Sequence, residues 1–212
     1  MDEDGNKSDG FSICVLISGG GTTLRNLIEK KNSGQLDATI SHVVSSRVDA
    51  GGIDHAREAG IPFTIADYRR HKSPELLSEV IFRICRESGA DLIVMGGFLR
   101  QIAIPADFEN RVINIHPSLI PAFCGKGYYG SKVHQAVIDY GCKLSGCTVH
   151  FVDDQFDHGP IIAQRTVDVM PGDDATTLAA RVFEQECRLY PEAINAIASG
   201  KVKLEGRTVV IS

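Results

Sequence analysis

Two rhythms of apolar and polar positions alternate over the first two-thirds of the chain. Residues 11–18 form an unbroken apolar run ending in glycines, the pattern of a strand buried on both faces. Residues 22–31 follow as a helix, 38–45 as a second strand, and 61–66 as a short third. Residues 49–59 also read as a helix, with Gly51-Gly52 inside it as a weak point. The helix at 73–88 has clear ends: Ser73 can cap it, Pro74 suits its first turn, and Gly89 can end it. Leu76, Leu77, Val80, Ile81, Ile84 and Cys85 mark its expected apolar stripe. Residues 91–95 and 111–116 supply two more strands. Such alternation predicts an α/β architecture, a mostly parallel sheet with helices on both faces.

The rhythm then changes. Residues 132–140 read as a helix, and 145–152 and 161–169 as strands joined by a polar turn, the expected antiparallel additions to the sheet. Residues 173–199 read as one long helix, and 201–211 as a hairpin around Glu205-Gly206. No repeat or linker divides the chain, so residues 11–212 are expected to form one domain behind a polar, disordered tail at residues 1–10.

Charge and cysteine usage narrow the setting. Twenty-two basic against 27 acidic side chains give a net charge of −5, so no basic footprint points to nucleic acid. No apolar run approaches the roughly 20 residues that cross a bilayer, and residues 1–10 lack the apolar core of a secretory signal. Six cysteines form no CxxC pair and are scattered through apolar runs, which argues for free thiols in a reducing, cytoplasmic setting.

The chemistry concentrates in a few segments. In Asn114-Ile115-His116-Pro117, an extended backbone puts Asn114 and His116 on one face, before a proline that re-aims the chain. An amide that holds a carbonyl oxygen beside an imidazole that moves a proton suits attack on a carbonyl-type carbon. The plainer reading makes Asn114 a turn cap and His116 a strand-end histidine. Ser18-Gly19-Gly20-Gly21-Thr22-Thr23 joins the first strand to the first helix, so its backbone N–H groups can receive an anion such as phosphate, or merely make a tight turn. Asp157 lies beside Gly159-Pro160 in a polar loop with Asp153 and Asp154; a carboxylate near His116 would raise its pKa, whereas Asx turns are the alternative. His150 reads more simply as a satisfied structural histidine. Glu186 falls on the apolar stripe of the last helix and needs a partner, either a neighbouring Arg or Lys or a cationic or amide part of a substrate. The histidines and aspartates lack any metal-ligand spacing.

Taken in order, Val15-Leu16-Ile17-Ser18-Gly19-Gly20-Gly21, Gly97-Phe98-Leu99-Arg100, Asn114-Ile115-His116-Pro117-Ser118-Leu119-Ile120-Pro121, Thr148-Val149-His150-Phe151-Val152 and Asp157-His158-Gly159-Pro160 resemble the folate-dependent formyltransferases, in particular the phosphoribosylglycinamide formyltransferases. The resemblance covers residues 12 to 200. It implies a formyltransferase fold with a Rossmann-like first half, and transfer of a formyl group from 10-formyltetrahydrofolate to the amine of glycinamide ribonucleotide in purine synthesis. By that resemblance Asn114, His116 and Asp157 are catalytic. Gly20, Gly21, Thr22 and Thr23 belong to the loop for the substrate phosphate, and Glu186 to the glycinamide site. Leu99, Arg100, Ile102, Asp153 and Asp154 belong to the folate pocket. Thr23 stands where many members have asparagine, and the Gly125–Gly130 loop is longer than in many of them.

The partners so implied are small molecules, with no nucleic acid, membrane or metal, and a homodimer is compatible. Hydrolysis of formyltetrahydrofolate is the enzymatic alternative, although that relative carries an N-terminal regulatory domain for which residues 1–10 leave no room. A different class is an NADP- or nucleotide-binding module. Arg47 could meet an NADP phosphate, but the third glycine of GxGxxG is missing.

Overall fold

The computed structural model of the chain describes residues 10–212, so the tail expected at residues 1–10 lies, Gly10 aside, outside the described residues. Two compact units divide the chain, one up to Val112 and one from Ile113 to Ser212.

The first unit is built on β1 (Ser12–Ile17), β2 (Thr39–Ser45), β3 (Phe63–Ile65) and β4 (Leu92–Met95), paired in the order β3-β2-β1-β4 with every pairing parallel. All six residues of β1 are buried, as its unbroken apolar run requires. Helices α1 (Thr22–Asn32), α2 (Gly52–Glu58) and α3 (Pro74–Glu87) alternate with the strands. The α3 cap is as expected, because Ser73 accepts the N–H of Leu76 at 3.3 Å. Its buried face is rotated from the expected stripe. Leu76 is exposed, while Phe82 is buried against Phe108 with ring centroids 5.0 Å apart. One residue of helix turns the side chain by about 100°, so Leu77 rather than Leu76 begins the face that meets the core.

Loops at the carboxyl ends of these strands are tied to one another. Ser18 and Ser46 share a hydroxyl–hydroxyl bond of 2.7 Å, Leu99 N–H donates to Ser18 Oγ at 3.0 Å, and Tyr68 N–H donates to the Ser46 carbonyl at 3.1 Å. The glycine loop lies at this rim, and a second glycine pair explains its path. Gly51 caps α2, so Gly51-Gly52 stands at the helix start and not inside it. Gly52 packs so closely on Gly21 that a Cβ on Gly21 would collide with the Gly52 Cα, and Gly21 itself has φ 73.

The second unit pairs β5 (Val112–His116), β6 (Leu144–Phe151) and β7 (Ile161–Asp168) antiparallel in that order, with β8 (Val202–Glu205) and β9 (Thr208–Ile211) as a separate hairpin. These are the expected antiparallel elements. Helix α5 (Ala175–Ala198) begins at an Asp174–Thr177 capping box and packs on β6, β7 and α4 (Ser131–Tyr140). Tyr190 of α5 is fully buried and donates its hydroxyl to the Ile113 carbonyl at 3.1 Å. The register pairs Asn114 with His150 and His116 with Thr148, which sets all four side chains on one face. No helix among the described residues is long and apolar enough to cross a membrane.

The glycine contact predicts a contrast. Gly21→Ala should cost about 1–3 kcal/mol in urea unfolding, from overpacking and a strained backbone. Gly19→Ala, which meets open space, should cost far less. Equal costs would contradict this account of the loop.

Candidate active site

The second unit gathers a polar cluster around one carboxylate. Asp157 has φ 52 and is largely withdrawn from water. Its Oδ2 accepts the Gly125 N–H at 2.9 Å and lies 3.4 Å from His116 Nδ1. Its Oδ1 accepts a long bond of 3.4 Å from Asn114 Nδ2 and lies 3.8 Å from His150 Nε2. The same Asn114 nitrogen bonds His150 Nε2 at 3.2 Å. Asn114, His116 and Asp157 are therefore brought together as the sequence suggested. His150, read as structural, joins them through the β5–β6 register.

Backbone groups fix the protons. His150 Nδ1–H donates to the Phe151 carbonyl at 2.7 Å, which leaves Nε2 as the acceptor for Asn114. His116 Nε2–H donates to the Phe123 carbonyl at 2.9 Å, which turns Nδ1 toward Asp157. The loop that supplies Phe123 and Gly125 is itself anchored by Thr148. Its Oγ1 donates to the Ser118 carbonyl at 2.6 Å and accepts the Ile120 N–H at 3.1 Å. Sequence reasoning missed these backbone groups, since nothing in a residue's type marks its carbonyl or N–H. It also missed His134 of α4, buried, with an Nδ1 that has no partner among the described residues.

The electrostatics correct one expectation. Burial pushes the His116 imidazole down, and although Asp157 and the Phe123 carbonyl push it up, the net shift is downward. His116 is thus predominantly neutral at neutral pH, where the carboxylate was expected to hold its proton. His134 is lowered too, by burial and then by His116. Burial works against the charge of Asp157, but the neighbouring His150 and His116 side chains and the Gly125 N–H together hold its carboxyl below the ordinary range.

The remaining predicted residues lie elsewhere in each unit. In the first unit, Gly21 precedes α1, and Gly20 and Thr22 are exposed. The hydroxyls of Thr22 and Thr23 make no hydrogen bond among the described residues, so they are open to a ligand. Leu99 is exposed, Ile102 is buried in the core, and Arg100 lays its guanidinium 3.4 Å from the Tyr68 ring centroid with Nε unpartnered. In the second unit, Asp153 accepts from the Gln155 N–H at 2.9 Å and meets His158 Nδ1 at 2.7 Å, an Asx-type turn, and Asp154 is exposed. Glu186 on α5 has no Arg or Lys partner among the described residues. Burial pushes its carboxyl up to about 7. Its charge and burial together push the buried Cys147 thiol up to about 12. No group of three or more His, Cys, Asp or Glu among the described residues could hold a metal ion.

The formyl transferase family matches residues 11–194, across both units. The chain belongs to the formyl transferase family. The chain is 38% identical over 192 residues to the chloroplastic phosphoribosylglycinamide formyltransferase of Vigna unguiculata, covering 90% of this chain and 62% of that protein. It is 34% identical over 201 residues to the phosphoribosylglycinamide formyltransferase of Escherichia coli (strain K12), covering 92% and 90%. Glycinamide ribonucleotide transformylase 1 from Symbiobacterium toebii superposes with a TM-score of 0.90 at 37% identity, covering 97% of this chain and 95% of that one. The chain spans 62% and 66% of the length of the plant relatives from Vigna unguiculata and Arabidopsis thaliana, under two thirds in each.

Glu186 yields a pH test. A free glutamate loses its proton near 4.5, but this one keeps it to about 7 in the folded state. Its stabilising protonation is complete below 4.5 and is lost as pH rises from there to about 7. Relative to wild type, Glu186→Gln should gain thermal stability steadily across that window and hold the gain above it. A difference that does not change with pH would contradict the unpaired burial.

Proposed function

We propose that this chain is a phosphoribosylglycinamide formyltransferase, which moves the formyl group of 10-formyltetrahydrofolate onto the amine of glycinamide ribonucleotide. One observation carries the reading. An amide donor and an imidazole each lie 3.4 Å from one ionised carboxylate in a withdrawn cluster, the three groups that acyl transfer to an amine needs. The relatives named phosphoribosylglycinamide formyltransferase support the same step.

The neutral amine attacks the formyl carbon, a new C–N bond forms, and the carbonyl electrons move onto oxygen. Asn114 meets that oxyanion. Its amide hydrogen on the long 3.4 Å contact to Asp157 is the one held more weakly and the one that turns to the substrate. His116, neutral beforehand, takes the proton that the amine sheds at Nδ1, where the Asp157 carboxylate stabilises the imidazolium as it forms. The same proton passes to the folate nitrogen as its bond to the formyl carbon breaks, so no proton is gained or lost overall. A low-pKa imidazole beside a carboxylate is suited to taking a proton and giving it back.

In this reading the loop of Gly20, Gly21, Thr22 and Thr23 takes the substrate phosphate through N–H groups at the start of α1. Thr23 offers a hydroxyl where many members offer an amide. Glu186 meets the glycinamide portion, and Leu99, Arg100 and Ile102, with the backbone about Asp153 and Asp154, receive the folate. No metal takes part. The six cysteines form no disulfide, which suits a reducing compartment, and we assign the cytoplasm.

The assay is formyl loss from 10-formyltetrahydrofolate with and without glycinamide ribonucleotide. Loss only when the acceptor is present is the expected result; equal loss without it indicates hydrolysis, and no loss in either overturns the reading. In the same assay Asn114→Ala should turn over roughly two to three orders of magnitude more slowly while keeping its melting temperature. Near-normal turnover would remove Asn114 from its role.

A further inference from the structure

The β8–β9 hairpin lies beyond the residues 11–194 matched by the family, yet its turn reaches the loop that carries Asp157. Arg207 of that turn donates through Nη2 to the His158 carbonyl at 2.6 Å, and its Nη1 lies 3.4 Å from His158 Nε2. On its other side His158 bonds Asp153 Oδ2 through Nδ1 at 2.7 Å. The proton on Nδ1 faces a carboxylate, so Nε2 is the acceptor that faces the arginine. The chain of contacts thus runs from the hairpin turn, through His158, to the start of the same loop.

This loop needs holding. Its base is closed by the Phe151 N–H on the Pro160 carbonyl at 2.9 Å, and Gly159 presses on the Phe151 carbonyl where any Cβ would collide. Between that base and the arginine, Asp157 stands at φ 52, in the left-handed region that non-glycine residues occupy only when their surroundings over-determine them. The Gly125 N–H and the cluster hold its side chain; Arg207 grips the backbone of the next residue. We propose that Arg207 is a positioning residue for formyl transfer, which holds the Asp157 carboxylate at its working distance from His116. The proposal rests on the function assigned above.

Arg207, His158 and Asp153 are largely at the surface, where such contacts add little to stability. Their effect is geometric, because a misplacement of about 1 Å can cost a reaction up to about a hundredfold. The inference therefore separates rate from stability.

The test is a cycle of Arg207→Ala, Asp157→Asn and the double variant, with kcat, both KM values and the melting temperature measured for each. Arg207→Ala should lower kcat about tenfold or more at an unchanged melting temperature. The double variant should be no slower than Asp157→Asn, because the arginine acts through that carboxylate. Arg207→Lys, which keeps the charge but loses the fork, should fall between wild type and Arg207→Ala, and it carries the test if the alanine variant fails to fold. Wild-type kcat in Arg207→Ala, or a double variant slower by the full factor of both changes, overturns the proposal. A wild-type protein without transfer activity defeats the assigned function instead. The proposal is then read from the NMR titration of the His116 ring, which faces Asp157, His150, His134 and the Phe123 carbonyl. Loosening Asp157 should lower its midpoint, since that carboxylate is the charge raising it, and an unmoved midpoint overturns the proposal.

Discussion

A carboxylate taken out of water takes up a proton unless donors and positive partners replace the water. Asp157 is such a carboxylate, and much of the second unit is arranged to keep it ionised. A backbone N–H from Gly125 lies on one oxygen and an amide hydrogen from Asn114 on the other, with His116 and His150 beside them. Each of those groups is fixed in turn. The β5–β6 register fixes Asn114 against His150, the Phe151 carbonyl fixes the His150 tautomer, and Thr148 anchors the loop that presents Phe123 and Gly125. Satisfying one buried charge thus dictates the side chains of two strands and the course of two loops.

The same burial sets the balance at His116. Loss of water lowers the imidazole, the neighbouring carboxylate raises it, and loss of water prevails. This outcome suits the proposed transfer. A permanently charged imidazolium would hold its proton throughout, whereas a neutral one can accept the proton of an attacking amine and return it to a leaving nitrogen. Glu186 shows burial without compensation: no Arg or Lys among the described residues answers it, and it stays protonated to about 7. A carboxyl so poised can donate or accept a hydrogen bond within a small change of pH.

Local rules carried much of this into the sequence. Apolar runs of strand length marked β1 and β4, Ser73-Pro74 marked the start of α3, and simple alternation placed Asn114 and His116 on one face. Gly159-Pro160 flagged the bend that brings Asp157 inward. What stayed hidden depends on distant pairing or on competing magnitudes. His150 lies 36 residues from Asn114, and only the antiparallel register joins them. Arg207 lies 49 residues from His158, in a hairpin whose composition says nothing of where it docks. The net direction at His116 required weighing burial against a carboxylate, and residue identities give neither magnitude. Gly51-Gly52 weakened the helix signal because glycine usually interrupts helices, whereas here it permits the close approach of Gly21.

The central claim is that the ionised Asp157 organises the cluster for formyl transfer. It is tested most directly by the single-turnover rate of Asp157→Asn with both substrates saturating. The variant keeps the size and planar shape of the side chain but loses the charge and one of its two acceptor oxygens. The account predicts a folded protein that binds both substrates and transfers formyl about 10²–10⁴-fold more slowly. A folded Asp157→Asn protein with a rate close to wild type would contradict it.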